Sequence, residues 1–484
     1  MLELLKKYET IIGLEVHVQL STKSKAYCGD ANLFGEPANT CVSPISLGHP
    51  GTLPKPNKKV IEYAIKLGLA FNCKINFENQ YARKNYYYTD LPKGYQITQD
   101  KTPICMGGYV EIIDKDGKSK KIKLTRIHME EDAGKSIHDL DPFNSLIDLN
   151  RAGVPLLEIV SEPELRSSKE AYEYLQEVRK IVRYLEICDG NMEEGSLRCD
   201  ANISVRKKGS KILNNRVEIK NLNSFSNVQK AIEIERNRQV LAYENGKSIE
   251  QETRNYNAKN NSTIVLRKKE DAHDYRYFPE PDIQPIMISD KMIEEVKKTM
   301  PSLPNELFKK YINDYKLSIY DSKNLTENKN LSLFFQSVIK FTKQYKIVAN
   351  IIMGVIKGYL NENSKNISDL KLKPIFIAEL SDMIHNNEIN NSIASHKIFP
   401  EMLEDFEKSP KEIAKEKNYI QEKDNDLLMG YVKDALEKFP NKVLEYKNGK
   451  KNLLGLFMGE AMKNSKGTAN PKLLNQLIIK ELES

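Results

Sequence analysis

The chain has 484 residues, 40% hydrophobic and 29% charged, with Lys+Arg at 74 against Asp+Glu at 67. At about 100–200 residues per domain that is two to four folded domains, and the apolar content excludes a wholly disordered chain. The net charge of +7 permits a polyanionic partner such as RNA without requiring one, and the longest apolar stretch, Ile347 to Ile356, falls well short of the roughly 20 residues that cross a bilayer.

The N-terminal Met1-Leu-Glu-Leu-Leu-Lys-Lys has no signal-peptide apolar region, so a cytoplasmic location is expected. From Tyr8 to about Asp290 the chain runs in short strand-length segments broken by Gly, Pro and Asn. In the first, Ile11-Ile-Gly-Leu-Glu-Val-His-Val-Gln-Leu20, alternation sets Leu14, Val16, Val18 and Leu20 on one face and Glu15, His17 and Gln19 on the other. One face packs and the other displays ligand-type groups. Tyr81-Ala-Arg-Lys-Asn-Tyr-Tyr-Tyr-Thr-Asp-Leu-Pro-Lys-Gly-Tyr-Gln96 follows, with Arg83, Lys84 and Lys93 as phosphate-binding candidates and Tyr86 to Tyr88 as stacking candidates. The same segment also reads as a packed aromatic strand and turn.

Arg126-Ile-His-Met-Glu-Glu-Asp132 gathers three acids behind a histidine, and clustered acids repel unless something positive sits among them. Gly134-Lys135-Ser136 imitates the end of a phosphate loop, but Met129 stands where its first glycine belongs. Glu158 is the lone charge within the apolar run Pro155-Leu-Leu-Glu-Ile-Val160, and a buried carboxylate needs a cationic partner to stay ionised. Ser196 to Val205 is a second two-faced strand, with Arg198, Asp200 and Asn202 on its polar side; Arg216 to Lys220 is a third, with Arg216, Glu218 and Lys220. Three such strands make one polar floor, whose oxygen ligands and single imidazole suit Mg²⁺ beside nucleotide phosphates. A solvated sheet face is the plainer reading of any one of them. Asp274-Tyr-Arg-Tyr-Phe-Pro-Glu-Pro-Asp282 mixes charge and aromatics with the same ambiguity.

Beyond Met287 the texture turns helical. Ser289-Asp290 caps a helix carrying Ile293, Val296 and Met300; Ser409-Pro410 starts another; and Asn470-Pro471 starts a last one with a Leu474, Leu477, Ile478 and Leu482 stripe. Boundaries fall near 293 and 407. The six cysteines at 28, 41, 73, 105, 188 and 199 form no Cys-x-x-Cys pair and read as reduced thiols, while His49, His138, His273, His385 and His396 have no companion pattern. Residue chemistry alone thus points to a Mg²⁺-dependent, ATP-using β-rich domain with a helical, RNA-binding C-terminal half.

Taken in order, these segments resemble one family, the B subunit of the glutamine-dependent aspartyl/glutamyl-tRNA amidotransferase. The resemblance is carried by Gly13-Leu-Glu-Val-His17, Arg83-Lys-Asn-Tyr86 with Leu91-Pro-Lys-Gly-Tyr-Gln96, His128-Met-Glu-Glu-Asp-Ala-Gly-Lys-Ser136 and Leu149-Asn-Arg151. It continues through Glu158-Ile-Val-Ser-Glu-Pro163, Met192-Glu-Glu-Gly-Ser-Leu-Arg-Cys-Asp-Ala-Asn202, Lys220-Asn-Leu-Asn-Ser-Phe225, Asp274 to Asp282 and the tail Ser465-Lys-Gly-Thr-Ala-Asn-Pro471. It implies an α+β protein: a mainly antiparallel, glutamine synthetase-like catalytic cradle over 1–292, an all-α domain over 293–406, and a small all-α tail over 407–484 that contacts tRNA.

The resemblance further implies a carbon–nitrogen ligase of translation. ATP would phosphorylate the side-chain carboxylate of mischarged Glu-tRNA(Gln) or Asp-tRNA(Asn), and ammonia from an amidase partner, the A subunit, would displace phosphate, with a small C subunit completing a heterotrimer. Carried over residue by residue, Glu15, His17, Glu131, Glu158 and Asp200 are the implied catalytic and Mg²⁺-binding groups. Alternation from His128 favours Glu130, so both neighbours are retained. Lys84, Lys93, Arg198 and Lys220 are the implied contacts to ATP or acyl phosphate. The chain departs from the family at Cys28-Gly-Asp30 and Ser43-Pro-Ile-Ser46, where many members carry two zinc-binding cysteine pairs, so a four-thiolate zinc site is not expected. Thr89 also replaces a proline that often precedes the residue at Asp90.

Overall fold

Alternation along Tyr8–Gln19 builds the centre of the protein: Leu14, Val16 and Val18 are buried while Glu15, His17 and Gln19 are half-buried on the reverse face. The computed structural model describes residues 2–114, 116–268, 274–420, 425–465, 467 and 469–483; His273 and two tail-signature residues, Lys466 and Thr468, lie outside them. The fold is α+β, and the chain divides into two compact units, Met1–Glu306 and Leu307–Ser484. That division falls past the expected boundary near 293, within the helix Pro304–Asn313.

In the first unit Tyr8–Gln19 lies between Leu197–Lys207 and Pro155–Ser161, both antiparallel to it. The sheet extends on one side through Val217–Lys220, Glu252–Asn257 and Ser262–Lys268, and on the other through Ser119–Glu131, Cys105–Met106 and Lys74–Ile75, with Tyr109–Ile113 also pairing Ser119–Glu131. Only Val217–Lys220 with Glu252–Asn257 is parallel among these pairings. Three helices, Lys58–Ala70, Ser168–Tyr184 and Phe225–Glu244, contribute to the apolar core. Their Ala64, Ile65, Tyr174, Leu175, Val178, Val228 and Ala231 join Leu14, Val16 and Val18 in one buried cluster. Each large aliphatic side chain so buried contributes roughly 1.5–3 kcal/mol. With one face of the sheet sealed in this way, the charged alternate residues project from the other.

The second unit is helical. Ser289, Ser409 and Asn470 begin the helices that their side chains predict: Ser289 Oγ accepts from Met292 N, Ser409 forms a reciprocal capping box with Glu412, and Asn470 Oδ1 accepts from Lys472 N and Leu473 N. Of these the Ser289 helix, Asp290–Lys298, belongs to the first unit. The tail has a core of its own in which Leu428, Val432, Phe457 and Ala461 meet the Leu474, Ile478 and Leu482 stripe. Among the described residues no helix is long and apolar enough to cross a membrane.

Truncation at the centre of the first core tests this layering. Leu175→Ala on the Ser168–Tyr184 helix should destabilise the first unit by about 2–5 kcal/mol, read as a lower urea midpoint of its unfolding transition.

Candidate functional site

Strand register assembles the polar face. Arg198, His17, Glu158 and His128 stand directly opposite one another across four neighbouring strands, and Asp200 stands opposite Glu15. Directly paired residues point to the same side of a sheet, so four segments far apart in sequence deliver their charges to one surface.

Two carboxylate clusters result. In the first, His17 Nε2 lies 3.2 Å from Glu158 Oε2 and 3.6 Å from Glu130 Oε1, and His128 Nε2 lies 3.5 Å from Glu158 Oε2 and 3.6 Å from Glu130 Oε2. Burial by itself would lower the His17 pKa, but the Glu158 hydrogen bond and charge, reinforced by Glu130, raise it to about 9. Burial likewise opposes ionisation of Glu158, yet His128, His17 and Lys84 hold its carboxyl well below the usual range. His128 Nδ1 is buried with no hydrogen-bond partner.

In the second cluster, ligand oxygens of Glu15, Asp200 and Glu218 lie within 4.8 Å of one another. Lys220 Nζ donates to Asp200 Oδ2 at 2.5 Å and lies 3.1 Å from Glu218 Oε1, while Asn202 Nδ2 donates to Glu15 Oε1 at 2.9 Å. One lysine faces three carboxylates. Burial and the charges of Glu158, Glu218 and Asp200 accordingly raise the Glu15 pKa. The same 4.8 Å limit holds for His17, Glu130 and Glu158. A hard cation with bonds of about 2.1 Å spans opposite ligands about 4.2 Å apart, so both donor sets fit Mg²⁺ with little inward movement.

The cations sort into committed and available groups. Arg198 Nη2 donates to Asp132 Oδ2 at 2.8 Å, and Gln19 Nε2 donates to the same oxygen at 2.8 Å, which fixes the guanidinium beside His17. Lys84 sits 4.7 Å from the Tyr275 ring centroid and 5.8 Å from that of Tyr86. Burial would lower its pKa; Glu130, then Tyr277 and Tyr275, then Glu158 raise it, so a lysine in an aromatic setting faces the first cluster.

Glu131 does not join Glu130. Strand alternation turns it to the other side, where its Oε1 pairs with Lys93 and accepts from Ile97 N at 2.9 Å. Lys93 is thereby committed away from the clusters. Arg83 is committed too: Nε and Nη2 grip Glu280 at 2.7 and 2.9 Å, and Nη2 reaches Asp282 at 2.9 Å. It fastens the Asp274–Asp282 segment to the Ala82–Asn85 strand and is not a free phosphate ligand. Tyr86 packs beside Lys84, whereas Tyr87 and Tyr88 are exposed.

Residues 10–294 match the GatB/GatE catalytic domain family, and residues 333–482 match a second family described as GatB domain. The chain belongs to the GatB family. It is 49% identical over 477 residues to the B subunit of the aspartyl/glutamyl-tRNA(Asn/Gln) amidotransferase of Thermodesulfovibrio yellowstonii, covering 99% of this chain and 100% of that protein. The protein of the same name from Clostridium novyi is 49% identical over 475 residues, 98% of this chain and 99% of that one. That of Thermotoga sp. strain RQ2 is 46% identical over 482 residues, 99% of each.

For this GatB-family chain, three members of the site escape a search for isolated charges. Glu218 lies on the polar face of a strand that sequence reasoning recognised without naming it as a ligand. His128 was legible only as the flank of an acidic run, and Asn202 only as an alternate residue. Periodicity placed all three on the correct face, and register across strands made them neighbours.

The Arg83 clamp carries its own expectation. Glu280→Ala removes the two-point partner of a half-buried guanidinium and leaves Asp282 on it, so it should cost about 1.5–3 kcal/mol, seen as a lowered melting temperature, with proteolysis appearing near 274–282 before global unfolding.

Proposed function

We propose that this chain is the ATP-dependent amidating component of a tRNA-dependent amidotransferase, acting on mischarged Glu-tRNA(Gln), Asp-tRNA(Asn) or both. The observation that carries this reading is the pair of carboxylate clusters on one sheet face, flanked by Lys84, Arg198 and Lys220; the names of the relatives supply the substrate class.

The chemistry explains the need for two steps. A carboxylate does not accept ammonia because its oxygen is an unfit leaving group. Transfer of the ATP γ-phosphoryl group to a side-chain carboxylate oxygen releases ADP and leaves an acyl phosphate. Ammonia then attacks the acyl carbon, the C–O bond to phosphate breaks, and the amide and inorganic phosphate leave. Bound Mg²⁺ would neutralise polyphosphate charge. Glu15, Asp200 and Glu218 on one side, and His17, Glu130 and Glu158 on the other, are the groups that would hold it. Arg198, fixed by Asp132, and Lys84, facing Glu130 and Glu158, are placed to draw phosphoryl oxygens towards the floor. Lys220 balances two of the three carboxylates around it. Ammonia comes from a partner amidase, the A subunit, with a small C subunit completing a cytoplasmic heterotrimer.

The test is amidation of each mischarged tRNA with ammonium as donor, by the chain copurified with its partners. Conversion with stoichiometric ADP release is expected. No ADP release with either tRNA would leave an RNA-binding scaffold as the better reading. Glu158→Ala and Asp200→Ala should each lower amidation by on the order of a hundredfold or more while glutamine hydrolysis by the partner continues.

Ion binding separates the two adjacent acids. Mn²⁺ titration followed by electron paramagnetic resonance should show weakened binding for Glu130→Gln and Glu218→Gln and unchanged binding for Glu131→Gln. The reverse order for 130 and 131 would overturn the ligand assignment.

A further inference from the structure

The lobe from Cys28 to His49 departs from the family at the positions where many members hold zinc. Those four positions are occupied here by Cys28, Asp30, Ser43 and Ser46. They do not fit the ion. A structural zinc site takes four thiolate, imidazole or carboxylate ligands, and neutral serine hydroxyls are not among them. Cys41 and His49 make no substitute, because among the described residues no three His, Cys, Asp or Glu ligand atoms that lie within 4.8 Å of one another include a member of this lobe.

The same positions are nevertheless drawn together. Ser46 Oγ donates to Asp30 Oδ2 at 2.6 Å and accepts from Ser43 N at 3.0 Å. Ser46 is buried, so the protein itself satisfies its hydroxyl as donor and as acceptor. Ser43 takes part through its backbone, its own Oγ being buried with no hydrogen-bond partner. Lys25 N donates to Asp30 O at 3.0 Å and closes the turn that carries Cys28. Leu47 N donates to Ser43 O at 3.0 Å and His49 N to Pro44 O at 2.9 Å, which closes the turn that carries Ser46. Burial opposes the charge of Asp30, yet the Ser46 hydroxyl, the Cys28 thiol and the Lys25 ammonium hold its carboxyl below the usual range. Lys25 is completely buried. A hydrogen bond to an ionised carboxylate is roughly twice as strong as one between neutral groups.

We propose that the Asp30 carboxylate does in this chain what zinc does where the family carries it, tying the Cys28 turn to the Ser43–His49 turn through Ser46, so that the lobe folds without a transition metal. The arrangement of charge is inverted. At a zinc site a cation gathers anionic ligands, whereas here an anion gathers hydrogen-bond donors, with Lys25 as its buried counter-charge. The inference is independent of the proposed amidation chemistry.

The experiment uses the full-length chain. Elemental analysis should find no stoichiometric zinc, and a zinc-selective chelator should leave the melting temperature unchanged. Asp30→Ala and Ser46→Ala should each lower the melting temperature by roughly 2–6 °C. The double variant should lose clearly less than the sum, because both substitutions remove the same contact. Additive losses, or no loss in Asp30→Ala, would overturn the proposal. Stoichiometric zinc in the wild type, whose removal lowers the melting temperature, would overturn it too. The converse substitution tests the convergence of the four positions. A triple variant carrying Asp30→Cys, Ser43→Cys and Ser46→Cys beside the native Cys28 should bind one zinc per chain and melt at a higher temperature with it than without. A folded triple variant that takes up no zinc would overturn the placement of these side chains around one centre. If that variant does not fold, the comparison of Asp30→Ala, Ser46→Ala and their double decides alone.

Discussion

The register of Tyr8–Gln19 against its two antiparallel neighbours is the constraint on which the rest depends. Side chains alternate with a period of two, so a slip of one residue would drive Glu15 and His17 into the apolar layer and expose Leu14, Val16 and Val18. Such a slip would expose the apolar residues that now pack with the three helices and would bury charges among them. Packing of the apolar face therefore secures the position of every charge on the polar face. The site inherits its geometry from the core on the far side of the same sheet.

Charge compensation then decides how the polar face survives. In the first cluster Glu158 and Glu130 hold the His17 pKa up to about 9, so His17 supplies part of the charge that balances the two carboxylates. In the second cluster Lys220 pairs with Asp200 and Glu218, Arg267 adds positive charge near Glu218, and the surrounding carboxylates still raise the Glu15 pKa. Crowded carboxylates cost stability unless a cation joins them. A cationic ligand would relieve that crowding, and the proposed phosphoryl transfer would give such a ligand its task.

The surrounding basic residues show that residue type does not settle role. Arg83, Lys84 and Lys93 lie within eleven positions of one another, yet Arg83 clamps the Asp274–Asp282 segment, Lys93 neutralises Glu131, and only Lys84 faces the clusters. The difference arises from partners contributed by distant segments. The same holds for Arg198, which Asp132 fixes in place, and for Lys220, which pairs with Asp200 and Glu218.

The sequence by itself determined the two-faced strands, the lone charge at 158, the caps at Ser289, Ser409 and Asn470, and the helical character of the second half. These follow from period and local chemistry, which act within a few residues. Its family motifs also carried the resemblance that the matches over 10–294 and 333–482 bear out. Tertiary structure decided what needs long-range pairing. It set Glu130 rather than Glu131 beside His17, because strand alternation turns adjacent residues to opposite faces. It brought Glu218 to Glu15 through two strand pairings, placed the division of the chain within the Pro304–Asn313 helix, and committed Arg83 and Lys93 to carboxylates elsewhere. Distances between residues almost two hundred positions apart are fixed by sheet register and packing, and no local pattern contains them.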